Sequence, residues 1–306
     1  MKGRILTLLR ASKGVVSGET LCEQLRISGV SLEKHMGELK ILGYDIEATP
    51  RGYRLNDALD ALFPWEFPER ESKIHYFEEA GSTMDIAKDL ALEGCPHQTV
   101  VIAGRQTKGR GRLKRTWQSS DGGLYFTMVI RPKLSPAECF KTNFVASLVL
   151  CQTLRQRYDI PAMVKWPNDI LVDGRKLSGM IAEMESQGGR VSFVTIGIGI
   201  NVNNDPTSVE PNAVSLRKIL NRNVSRRDLL TAFLDAFETQ IEDIASHDVI
   251  AEWKRYTITL NHKVRIVTTH DVFEGMAIDV DRNGALLLEQ PNGSVKAIVY
   301  GDCFLV

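Results

Sequence analysis

Residues 191–204 read VSFVTIGIGINVNN. A strand with one wet face alternates apolar and polar residues; this one runs nearly continuously apolar, so it must be covered on both faces. It ends in glycines and at Asn201. A buried strand of this kind needs helices or further sheet around it, so residues 73–260, which mix strand and helix patterns, read as one α/β (α+β) core with a mixed sheet. The 306 residues suffice for two or three domains, and 43% hydrophobic with 25% charged residues is ordinary for a globular chain.

Three segments separate. Residues 1–62 alternate short helical patterns with polar turns. ALFPWEFPERES then carries Pro64 and Pro68 among charges and reads as a linker, because proline continues neither a helix nor a central strand. Residues 68–260 form the central domain, and 261–306 are all β. Asn283-Gly284 and Asn292-Gly293 predict type I′ hairpin turns there and hence a small antiparallel barrel. The five cysteines are scattered without a CxxC pair, so neither a disulfide framework nor a zinc site is encoded, and no metal ligands are assigned among the side chains. No apolar run reaches the roughly 20 residues of a membrane helix, and the N-terminus lacks a signal-peptide pattern. The expected location is cytoplasmic, with no membrane partner.

The first segment reads as helix, turn, helix and hairpin. Leu21 and Leu25 share a face; Ser28 is a good N-cap, and Leu32, Met36 and Leu39 follow as a core stripe. That pattern leaves Ser31, Lys34, His35 and Glu38 toward solvent. Gly43 stops the helix, and the chain folds back as a wing around Pro50-Arg51-Gly52. A recognition helix with a basic wing is how a winged helix-turn-helix docks on DNA, which makes Ser31, Lys34, His35 and Arg51 the candidate DNA contacts. A small helical protein-interaction domain is the alternative reading.

The central domain holds a basic stretch, GRQTKGRGRLKRTW at 104–117, with six Lys/Arg and no acid in a chain whose formal net charge is zero. TVVIAG should deliver it from the end of a buried strand. Arg110 and Gly111 stand where a phosphate-binding P-loop would need Lys and Ser/Thr, so that motif is rejected. What remains is Gly109-Arg110-Gly111-Arg112: forked donors that suit a carboxylate or phosphate, with glycines for close approach and Trp117 for an apolar or aromatic part of a ligand. On its own the loop could equally be a solvated surface or a nucleic-acid patch. Its company narrows the choice. Asp173-Gly174 signals a two-residue hairpin, with Lys176 just beyond it; Lys165, Asn168 and Asp169 sit where Pro167 breaks the preceding strand.

In order, GSTMDIAK, RQTKGRGRLKRTW, KWPNDI, GRKLSGMIAE and IGIGINVN resemble the biotin protein ligases, and the preceding helix-turn-helix resembles their bifunctional branch, which also represses the biotin operon. The resemblance spans essentially the whole chain. It implies a winged helix-turn-helix, a ligase domain of class II aminoacyl-tRNA synthetase type and an SH3-like C-terminal barrel. It implies biotin and Mg·ATP (ATP with Mg2+) as substrates, giving biotinyl-5′-AMP, and transfer to one lysine of the biotin carboxyl carrier protein of acetyl-CoA carboxylase. Residue by residue, it implies Ser82, Thr83 and Gln106 on biotin, and Arg110, Gly111 and Arg112 over its carboxylate and the phosphate. Lys176 would meet the carboxylate and developing charge. Gly109, Trp117, Lys165, Asn168 and Asn201 belong to the ATP side, and Asp169 joins Lys176, Arg110 and Arg112 in the catalytic set. Operator DNA and a homodimer formed by the adenylate-bound protein are the further partners implied. Two positions depart from the family pattern: Met84 replaces a usual Asn, and Leu113-Lys114 replace a glycine step, which predicts a stiffer loop. A monofunctional ligase and a lipoate–protein ligase are the rival readings.

Overall fold

The computed structural model describes every residue except 13, 58 and 245–247, and divides into two compact units, Met1–Ile74 and His75–Val306.

In the first unit, α1 (Lys2–Ser12), α2 (Gly18–Leu25) and α3 (Gly29–Ile41) precede the hairpin β1 (Asp45–Thr49) and β2 (Gly52–Asp57). Ser17 and Ser28 cap α2 and α3 by accepting from the Thr20 and Ser31 amides. Gly43, at φ +93°, closes the second of these helices in a conformation glycine adopts without penalty. Leu21, Leu25, Leu32, Met36 and Leu39 join Ile5, Leu6 and Leu9 in one core, as their spacing predicts. The wing turn is Pro50-Arg51, between the paired Thr49 and Gly52.

The proline-bearing stretch is not a loose linker. Ala61, Leu62 and Phe67 are buried and Phe63 stacks on Trp65. Buried Glu66 accepts from Arg10 at 2.9 and 3.0 Å and from the Tyr44 hydroxyl at 2.5 Å. Prolines end regular structure, but the aromatic residues between them have apolar surface to bury, and here burial decides.

The second unit begins with the end of β3 (Ile74–Ala80), followed by α4 (Thr83–Leu92), β4 (Thr99–Gln106), β5 (Leu124–Ile130) and α5 (Lys141–Tyr158). Then come β6 (Ala162–Lys165), β7 (Asp169–Val172), β8 (Arg175–Gln187) and β9 (Arg190–Ile200). Helices α6 (Leu216–Leu220), α7 (Arg226–Glu242) and α8 (Val249–Lys254) lead to β10 (Lys263–Val267), β11 (Val272–Val280), β12 (Leu286–Glu289), β13 (Val295–Ile298) and β14 (Asp302–Leu305).

A seven-stranded sheet runs β3-β4-β5-β9-β8-β7-β6, antiparallel at each pairing from β4 to β6. The nearly unbroken apolar strand is β9, and it pairs with β5 and β8. On one side Ala87 and Ala91 of α4 pack on Val101, Val129 and Phe193; on the other, Phe126 meets Phe233 of α7 edge-on. All seven residues of β5 are accordingly buried. The last five strands form a separate antiparallel sheet, β13-β12-β11-β10-β14.

Turn chemistry follows the sequence at one hairpin and departs from it at two. Asp173 and Gly174 have φ of +49° and +73°, as a type I′ turn requires. At Asn283-Gly284 and Asn292-Gly293 only the glycines are left-handed. There the Gly284 and Gly293 amides donate to Asp281 O and Gln290 O, closing type I turns each followed by a left-handed glycine. Asp281 Oδ1 accepts from the Asn283 and Ala285 amides, and Asn292 Oδ1 accepts from Ser294. These side-chain bonds stabilise the longer turn over the primed one.

Candidate functional site

Strand β4 delivers the basic stretch into a hairpin-like excursion. The Gln106 amide donates to Ser119 O, the Trp117 amide to Gly109 O and the Gly111 amide to Arg115 O. Gly109 lies where the two arms press together: a Cβ there would meet Trp117 O and Ser119 Oγ. Gly109 is not among the residues that line the cavity beneath, and it packs the two arms together. At the tip Leu113 holds a left-handed backbone, φ +50° and ψ +39°, the conformation in which a glycine is free of strain.

The excursion borders a cavity of about 240 Å³. Ser82, Thr83, Gln106, Arg110, Gly111, Arg112, Trp117, Lys165, Asn168, Asp169, Lys176 and Asn201 all line it, so the structure gathers every other ligand-site residue singled out from the sequence. The sheet supplies a strip of glycines. Gly179 and Gly199 are cross-strand partners, and Gly197 sits two residues back on the same face. A Cβ on Gly179 would lie 3.0 Å from the Trp117 indole, one on Gly199 would run into the same ring, and one on Gly197 would reach Met84 Sδ. The glycines thus let Trp117 and Met84 lie flat against the sheet. Trp117 Nε1 is buried without a hydrogen-bond partner, leaving a donor for a ligand.

Charge in the cavity is unevenly matched. Asp169 accepts from Lys176 at 2.7 Å and from Lys165 at 3.3 Å, so two ammonium groups share one carboxylate. Burial pushes the Asp169 pKa up, but the Lys176 and Lys165 charges outweigh it and hold the group below its ordinary value. Arg112 donates to Asn168 Oδ1 at 2.8 Å and to Gly301 O at 2.9 Å. Both acceptors are neutral; burial lowers the guanidinium pKa from the ordinary value, opposed by the nearby Asp302 and Asp169 carboxylates, neither of which Arg112 bonds. Arg110 differs. Its guanidinium pairs with Asp85 at 2.9 Å and with Glu183, and so is already matched by carboxylates.

The polar residues on the α4 side are also occupied. Gln106 Oε1 accepts from the Thr83 amide (2.8 Å) and hydroxyl (3.1 Å), its Nε2 donates to Ser119 Oγ, and Thr127 donates to Thr83 Oγ1. Ser82 Oγ caps α4 through the Met84 amide, so the backbone at Met84 serves the helix. Asn168 bridges Arg112 and the Met180 carbonyl, and Asn201 Oδ1 accepts from Asn204. These side chains fix the cavity's shape.

Sequence reasoning missed the contribution of the last strands. Arg115 pairs with Asp302, while Cys303 and Phe304 reach the cavity wall. No local pattern signals such a pair, since its members lie at opposite ends of the unit's sequence. Glu183 and the Gly179/Gly199 pairing were also missed; alternating glycines in an apolar strand are the signal that marks a flat floor.

In the first unit Lys34 and Arg51 are exposed, whereas Ser31 and His35 are half-buried. His35 Nδ1 lies 3.6 Å from Glu38, which accepts from Lys2 at 2.9 Å. His35 thus sits beside Glu38, the residue through which its helix pairs with α1. Among the described residues, no helix is long and apolar enough to cross a membrane and no group of three or more His, Cys, Asp or Glu could hold a metal.

A glycine-floored, cationic cavity with a basic hairpin at its rim belongs to a recognisable class. Residues 76–201 match the Biotin/lipoate A/B protein ligase family, 259–306 the Biotin protein ligase C terminal domain, and 3–54 an HTH domain. The bifunctional ligase/repressor BirA of Bacillus subtilis is 31% identical, over 96% of this chain and 94% of that protein. Its Escherichia coli counterpart is 29% identical over 98% and 96%. The biotin protein ligase of Aquifex aeolicus, solved with biotin and ATP, superposes with a TM-score of 0.65 at 26% identity, over 76% of this chain and 98% of that one. The chain belongs to the family of bifunctional biotin ligase/repressors.

Proposed function

We propose that this chain activates biotin with ATP in the cavity beside Lys176 and transfers it to a lysine of a biotin carboxyl carrier protein. The observation that carries this reading is the unmatched positive charge: two lysines on one carboxylate, and Arg112 on neutral acceptors only. A carboxylate that attacks the α-phosphorus of ATP must approach a polyanion, and cations offset that repulsion before charge grows in the transition state. Lys176 meets the biotin carboxylate, held in line by Asp169, and Arg112 covers the phosphate. A carboxylate oxygen forms the new bond to the α-phosphorus, the bond to the β-phosphate oxygen breaks, and pyrophosphate leaves with magnesium, which enters with ATP as substrate. The uncharged ε-amine of the carrier lysine then attacks the acyl carbon and AMP departs. No enzyme nucleophile is needed. Trp117 faces the nucleotide with its free Nε1, and the hairpin over the cavity shields a water-labile anhydride.

The seven-stranded sheet is read as the class II aminoacyl-tRNA synthetase type and the last sheet as an SH3-like barrel. The first unit is read as a winged helix-turn-helix on operator DNA, acting in the cytoplasm within an adenylate-bound homodimer that represses biotin biosynthesis. The test is incubation of the purified chain with a carrier domain, Mg·ATP and either biotin or lipoate. Mass spectrometry should find one lysine modified with biotin and none with lipoate; lipoyl transfer, or no transfer, overturns the reading.

A further inference from the structure

Helix α3 divides cleanly into faces. Leu32, Met36 and Leu39 are buried, Ser31, His35 and Glu38 are half-buried, and the opposite face carries Val30, Lys34, Gly37 and Ile41 at i, i+4, i+7 and i+11. Val30 is 79% exposed in the first turn. An apolar side chain there has no packing role within the unit. Lys34 follows one turn on, and at Gly37 a Cβ would meet nothing within 4 Å, so a partner can approach the helix backbone closely. The wing adds exposed Arg51, and residues 1–54 hold nine Lys/Arg against six Asp/Glu.

We infer that Val30 reads the 5-methyl group of a thymine in the major groove, with Lys34 beside it on a base acceptor or phosphate. The inference rests on the reading of the first unit as a DNA-binding domain, and supplies the side chain that specifies sequence. The first turn of a recognition helix reaches deepest into the groove, where thymine alone presents a methyl group. The occupant is duplex DNA because exposed Lys34 lies one turn beyond the apolar spot, the wing carries exposed Arg51, and residues 1–54 hold a basic excess that suits phosphate, with Glu33 the exposed acid on the flank of that face. Glu38, paired with Lys2, and His35, half-buried beside Glu38, lie off this face and are excluded from readout.

The experiment uses the full chain with biotin and Mg·ATP. Duplexes are selected from a random pool, and each thymine of the selected site is replaced in turn by uracil, which lacks only the methyl. Wild type should lose affinity roughly 5- to 10-fold at one thymine per half-site, the low end of the usual range for one base-edge contact. Val30→Ala should lose a similar factor on the parent site and no more on that uracil site, while Val30→Thr, which retains a methyl, should keep most of the discrimination. Matching melting temperatures of the exposed-site variants establish that they fold. Should Val30→Ala bind the parent site as wild type does, or stay equally sensitive to every uracil, the assignment of Val30 is overturned while DNA binding stands. Failure of wild type to select any duplex removes the DNA-binding reading, and this assignment with it.

Discussion

Lys176 Nζ stands 2.7 Å from Asp169 Oδ1 and 5.5 Å from the centre of the Trp117 ring. The carboxylate fixes where the ammonium points, so a mobile lysine becomes a preorganised one. Lys176→Ala is therefore expected to slow adenylate formation by roughly 100- to 1000-fold, the loss typical of one aimed charge-stabilising donor. Asp169→Asn should lose less at saturating substrate, because Lys176 is retained but unaimed. Single-turnover formation of the adenylate measures both, and equal rates for wild type and Lys176→Ala would remove the lysine from the chemistry.

Asp169 also sets a pH dependence. Its folded-state pKa lies below the ordinary 3.8, so its pairing stabilises the fold fully above that value and is lost as pH falls through the folded value. Wild type should therefore be more stable than Asp169→Asn near neutrality, and the gap should shrink below about pH 4 as the carboxylate protonates. Thermal unfolding of both proteins across this window is the check; a gap that widens in acid contradicts the assignment.

The glycine strip makes a steric prediction. Gly199→Ala drives a methyl into the Trp117 indole. Overpacking of this kind costs about 1–3 kcal/mol, and it should displace the ring and change its fluorescence. An unchanged emission spectrum with unchanged stability would mean the ring does not rest on Gly199.

Leu113 occupies a left-handed backbone, which costs an L-residue about 1–2 kcal/mol. Leu113→Val, β-branched in that region, should be destabilised relative to Leu113→Gly by about 1 kcal/mol or more. Urea unfolding compares them directly, and the order Gly below Val would show that the tip is not left-handed in solution.

Thiol chemistry reports on burial. Burial pushes Cys151 and Cys303 up to about 12 and raises Cys139, while Cys22 and Cys95 are half-buried. A disulfide reagent at mildly alkaline pH should label two thiols quickly and the other three only after denaturation.

Much of this was legible in the sequence because it is local. Core spacing placed Leu32, Met36 and Leu39; Asp173-Gly174 fixed a turn whose two residues both need positive φ; the apolar run of β9 announced cover on both faces. Motif order collected the cavity residues, though without their pairing: Arg112 bonded to carbonyl oxygens and Arg110 to carboxylates look alike in GRGR. Two readings failed where nonlocal or side-chain terms outweighed propensity. Apolar burial recruited Ala61, Phe63 and Trp65 into the first core, and Asp281 and Asn292 selected longer turns. The Arg115–Asp302 pair joins the loop after β4 to the last strand, distant in sequence, so no window could contain it.

Biotin-dependent exchange of labelled pyrophosphate into ATP tests the central claim most directly, since it requires reversible adenylation and no carrier protein. Wild type should exchange label only when biotin is present, and Lys176→Ala should lose nearly all of that activity. Exchange that proceeds without biotin, or none by folded wild type with biotin and Mg·ATP, would contradict the assignment of this cavity to biotin activation.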